Sequence, residues 1–287
     1  MDLTKKSVKA KRPCVDGYRW FLRTHQDGGD YQAVLDALVS AGRVNDACWL
    51  LKQFGPTDAV LRVDSIDADA VVFAGSLEVR GNIEAASTVC AGQAIHAGGS
   101  IRVDGMLSAG EGIRAGGSIR CGDSLNAGGD VRAGHGIEVQ GAASCDGSLR
   151  AEWDLMCFGD LAVGSQLVVG SDLFVHGLLK CGKSVRTGGA ITVLDEVDVG
   201  HGIECGAELY CDRHLWAGWG IKAGQGIVAN GAITAGESIL AAQYIRSGDG
   251  FGVYAGIAVQ VDAWESSARV CAKARPTRLM SGWWTGS

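Results

Sequence analysis

Residues 76–123 read SLEVRG NIEAAS TVCAGQ AIHAGG SIRVDG MLSAGE GIRAGG SIRCGD when divided into sixes. The second place of every hexad is Leu, Ile or Val, and the fourth is Val, Ala or Cys. Glycine gathers at the fifth and sixth places. Taking every sixth residue from Val71 to Ile257 gives 32 positions, of which 30 are Ile, Leu or Val; Ala143 and Phe251 are the exceptions. Two residues further on, from Val79 to Val259, every position is Ala, Val, Cys, Thr or Ser. An internal repeat of this regularity decides the architecture before any single motif does.

In a strand, residues i and i+2 point to the same side, so the large aliphatic and the small residue both face inward. The residue between them faces out, which accounts for Arg114, Arg120, Arg132, Glu138 and Lys222. A helix has a 3.6-residue period and would scatter these aliphatics around its circumference. Each hexad is therefore read as one short strand and a corner, with glycine supplying backbone freedom at the corner. Three sides make a coil of about 18 residues, and such coils bury their aliphatics only by stacking on one another. The expected fold is all-β, a single-stranded parallel β-helix on the order of 50 Å long at the usual strand spacing. The frame is expected to run without insertion into the 250s.

Composition agrees. The 287 residues include 44 Gly but only 3 Pro, which excludes collagen and proline-rich disorder. No apolar run approaches the roughly 18 residues of a membrane span, and the basic start MDLTKKSVKAKRPC lacks the apolar segment of a secretory signal. A cytoplasmic location is expected. Among 10 cysteines there is no CxxC pair and no zinc-ligand spacing. Cys121, Cys145, Cys157, Cys181, Cys205 and Cys211 share the inward small position and are read as buried reduced thiols. A net charge of −6 makes nucleic acid an unlikely partner.

The segment RGNIEA, Arg80 to Ala85, and the V/I-x-V/A-x-G rhythm around it resemble bactofilins, polymer-forming bacterial β-helix proteins. The resemblance covers the solenoid only and implies self-assembly. Hexapeptide acyltransferases share the period, but their order is small, any, large, glycine, whereas here it is large, any, small, glycine. That order favours a right-handed coil.

Outside the repeat the grammar changes, giving expected units at 1–62, 63–259 and 260–287. Asp30 opens a helical pattern ending near Gly42, and Asn45 is read as the N-cap of a second helix closed by Gly55 and Pro56. Lys5, Lys6, Lys9, Lys11 and Arg12 are read as a solvated tail. Trp49, Leu50, Leu51 and Phe54 are expected to cover the first coil, and Trp264, Trp283 and Trp284 the last. A rod covered at both ends would be finite, against the polymer that the resemblance implies.

No catalytic, cofactor or metal site is expected. His96 lies on a flat face, while His135, His176, His201 and His214 fall at or near corners. Glycine strings such as GEGIRAGG are corners, not the opening of a helix that a phosphate loop requires. The outward positions are more informative. One face carries His96, Arg114, Arg132, Arg150, Val168, Arg186, Glu204 and Lys222, a possible basic face. The next runs from Glu84, Arg102, Arg120 and Glu138 into Met156, Phe174, Thr192, Tyr210 and Val228. Nearby corners add Trp153, Phe158, Leu178, Leu194 and Trp219, and the third face adds Trp216. Large apolar groups gather on a solvated surface where a partner covers them. The expected function is non-enzymatic protein binding by the side of the rod, in its narrowest form as an immunity protein neutralising a toxin domain. A bactofilin-like self-assembling cytoskeletal or scaffolding protein is the alternative, and a hexapeptide-repeat acyltransferase the weaker third reading.

Overall fold

The computed structural model describes residues 2–25, 28–259 and 263–286. Its main body is a parallel β-solenoid of about 12 turns with about 18 residues in each. The first side is a 13-stranded sheet from Val60–Val63 to Trp283–Trp284. The second and third sides join in one 21-stranded sheet, because Ile66–Phe73 and Ile83–Ala91 run unbroken round the corner between them. Leu77 pairs with Ile95 on the first side, Ile83 with Ile101 on the second and Val89 with Leu107 on the third. These partners are 18 residues apart, so like positions stack directly. The large and small inward residues of successive coils form one continuous core.

The repeat glycines answer a different need from the one read in the sequence. All positive-φ glycines among the described residues lie outside 56–249. What the corners require is close approach. A Cβ on Gly116 would stand 2.1 Å from the carbonyl oxygen of Gly98, and one on Gly134 the same distance from that of Gly116. Polar side chains tie other corners together: Asp130 accepts from the Ser148 amide at 2.7 Å and Asp172 from that of Ala190 at 2.7 Å.

The 18-residue spacing fails at both ends. Val60 pairs with Ser76 and Ile66 with Ile83, shorter steps of 16 and 17 residues. Near the other end Ile233 pairs with Val253, a step of 20, so Val253 takes the inward place expected of Phe251. Phe251 and Ile257 are exposed, at 41% and 52%. Beyond them the chain does not become a separate cover. Arg269–Cys271, Leu279–Ser281 and Trp283–Trp284 add further parallel strands. Trp284 packs on the core, Trp264 donates to the Gly256 carbonyl at 3.1 Å, and Trp283 stays half-exposed.

The first residues fold as well. Helices α1 (Lys5–Ala10), α2 (Val15–Thr24), α3 (Tyr31–Ser40) and α4 (Val44–Phe54) form a small domain with its own core. Lys5, Lys6, Lys9 and Lys11 are exposed, but the first three ride on α1, whose Thr4 and Ser7 make a capping box. Asp30 caps α3, at the start of the helical pattern read there, whereas Arg43, not Asn45, precedes α4. The domain docks on the third side at Val72, Ala74 and Cys90. Gln32 completes the strand edge there, donating to the Val72 carbonyl and accepting from the Ala74 amide. This covers only part of the first coil: Leu61, Val63, Ala68, Val71 and Phe73 remain half-buried. No described helix is long and apolar enough to cross a membrane.

Candidate functional site

Strand register decides which surface residues meet. On the second side Arg120 faces Glu138, Glu138 faces Met156, Met156 faces Phe174, Phe174 faces Thr192 and Thr192 faces Tyr210. The charged half of this column is internally paired, with Arg120 Nε 3.5 Å from Glu138 Oε2. The apolar half begins at Met156, which is 40% exposed. At the corner between second and third sides stand Phe158, Leu178 and Leu194, and the Phe158 and Phe174 rings lie 5.9 Å apart at 57°. Tyr210 closes the strip with a polar end: its hydroxyl donates to Asp212 at 2.9 Å and accepts from Asn230 at 3.1 Å.

The remaining aromatics lie on other sides. Trp153 is on the opposite corner of the second side, stacked on His135 at 4.2 Å, and shares a shallow depression with Met156. Trp216 is on the third side between Asp198 and Thr234. Trp219 is on the corner between third and first sides, stacked on His201 at 4.1 Å. The nine residues singled out in the sequence therefore resolve into one strip of six, Trp153 on its far rim, and two separate tryptophans. No described part of the chain covers the strip, since Phe158 is 38% and Leu194 37% exposed.

The basic face is interrupted by carboxylates. Arg132 and Arg150 both reach Glu152, and Arg186 and Lys222 both reach Glu204. The Arg150 hydrogen bond holds the Glu152 carboxyl below its ordinary range, and that of Lys222 does the same for Glu204. Arg114 stands in register between His96 and Arg132. What looked like a run of cations is largely a set of ion pairs, each worth little at the surface. His214 accepts from the Ala232 amide at 3.1 Å.

One site escaped the sequence reading. The helical domain holds a partly open pocket of about 160 Å³, lined by Val8 of α1 and by residues of α2, α3 and α4. Its α3 and α4 lining reads in the sequence as ordinary helical core, and only in the structure do Trp20 and Trp49 stay partly exposed beside it.

Fold and surface together define a parallel β-solenoid with a lateral apolar strip and a small helical domain at its start. Residues 1–54 match the family model described as the YdhT N-terminal domain, and the match ends before the first solenoid strand at Val60. No curated protein and no solved structure matches the chain.

Proposed function

We propose that this chain is a non-enzymatic protein-binding solenoid that engages a folded partner through the strip of Met156, Phe158, Phe174 and Leu194. The observation that carries the reading is the exposure of Met156, Phe158 and Leu194, with Phe174 half-buried among them, on a face that no described segment covers. Contiguous exposed apolar surface of this kind is typical of binding sites, where aromatic anchors dominate affinity. The histidines fit a non-catalytic reading, two being stacked on tryptophans and one bonded to backbone. In its narrowest form the partner is a toxin domain neutralised in the cytoplasm. Co-purification from the native host tests the reading: wild type should retain a stoichiometric protein that Phe158→Asp/Leu194→Asp loses. Equal retention by both would overturn it.

A second reading, end-to-end self-assembly of the kind the bactofilin resemblance implies, is favoured by the half-buried first coil. Charge supports it too. Residues 58–70 carry four exposed aspartates, Asp58, Asp64, Asp67 and Asp69, against the single cation Arg62. Residues 269–278 expose Arg269, Lys273, Arg275 and Arg278. Electron microscopy at low salt separates the two readings, since filaments belong to this one alone.

A further inference from the structure

The cavity in the helical domain has apolar walls that include the indoles of Trp20 and Trp49 and the side chain of Leu38. One corner is polar, where Cys14 and Asp46 approach across Gly17. Glycine keeps that corner open: a Cβ there would stand 3.1 Å from Cys14 Sγ and 3.5 Å from Asp46 Oδ1. Arg43 occupies Asp46 Oδ2, with Nε at 2.6 Å and Nη2 at 2.5 Å. Among the described residues Oδ1 has only the Cys14 thiol, at 3.9 Å, a long contact. The carboxylate is thus charge-matched but keeps one acceptor oxygen facing the cavity.

We propose that this cavity binds a compact aromatic molecule of one or two rings that presents a single N–H or O–H donor to Asp46 Oδ1. Size sets the ring class, because an apolar cavity of about 150 Å³ takes a benzene-sized guest. A helix, roughly 10 Å across with its side chains, does not enter. Aromatic walls favour a flat guest through offset or edge-on packing. The Arg43 pair removes any need for a cationic ligand, and the Asp46 charge disfavours an anionic one. Every lining residue lies within 1–54, so this site is independent of the strip on the solenoid.

Calorimetric titration of the full-length chain with indole, and with its isostere benzofuran, tests the proposal. Indole should bind one to one with a Kd on the order of 0.1–1 mM, as expected of so small a ligand. Benzofuran, which lacks the donor, should bind about tenfold more weakly, the equivalent of one lost hydrogen bond. Gly17→Leu fills the polar corner and should abolish indole binding while urea unfolding shows the domain intact; Leu38→Trp fills the apolar end and should do the same. No saturable binding of indole by the wild type would overturn the proposal, as would undiminished binding by both filled variants. Equal affinity for benzofuran would overturn the role of Asp46.

Discussion

The Gln32 side chain stands in for a missing strand: its Oε1 accepts from the Ala74 amide at 2.9 Å while its Nε2 donates to the Val72 carbonyl at 3.0 Å. A side-chain amide has the same donor and acceptor as a peptide, so one glutamine satisfies two edge groups on the side away from the following coil, where a preceding coil would otherwise pair them.

Gln32→Ala should therefore leave two partly buried backbone groups unpaired, at a cost of about 1–3 kcal/mol. Urea unfolding measures the loss. Amide exchange should rise first across Val72–Ala74 and α3, because the contact fastens helix to solenoid.

Leu155 and Met156 are chain neighbours on opposite sides of one strand, 1% and 40% exposed. Leu155→Ala should cost about 2–5 kcal/mol by opening a cavity in a stacked core. Met156→Ala should stay within about 0.5 kcal/mol, yet weaken partner binding. Denaturant midpoints set beside pull-down yields check both halves.

The period of six made these facing directions readable in advance, because the large inward place admits almost nothing but Ile, Leu and Val and the small one only Ala, Val, Cys, Thr or Ser. The ends were not readable in the same way. At 251–253 the six-residue frame puts Phe251 at the inward place, and only the two-residue slip in pairing with Ile233 gives that place to Val253 instead. The apolar strip was legible only in part: Trp216 was read on the third side, where it lies, but Trp219, grouped with the corners near the second, stands between the third and first sides. Helix α1 was missed because a run of cations reads as tail unless Val8 is seen to be buried, and α2 was missed with it because Phe21 is its single buried residue.

Burial pushes the inward thiols up from an ordinary value of 9.0, Cys205 and Cys211 to about 11 and Cys145 to about 12. The folded chain holds the neutral form while the unfolded chain ionises first. Stability from these groups is therefore complete below pH 9 and is lost as pH rises towards 11–12. The urea midpoint should fall over that window, with a slope of at most about 1.4 kcal/mol per pH unit per thiol. Replacing all three with alanine, the residue at the equivalent Ala127, Ala151 and Ala217, should make the fall shallower, the remainder coming from Cys121, Cys157 and Cys181, which burial also raises.

If copies stack end to end, the assembly is held by opposite charges. Asp67→Lys/Asp69→Lys and Arg275→Glu/Arg278→Glu should each abolish light scattering at about 10 mM salt, where charges act over about 30 Å. A chain carrying both pairs should recover it. Failure of the combined variant to recover would count against this pairing of ends.

The direct stacking of like positions fixes azimuth as well as height. Removing 18 residues from the uninterrupted stretch shortens the rod by one step and leaves every remaining side chain on its original meridian. Removing six turns all that follows by a third of a revolution, carrying any feature beyond the cut to a different side without disturbing the interior. Length and angular placement are thus separately adjustable in this molecule, so a surface can be re-aimed by counting residues instead of by redesigning a core.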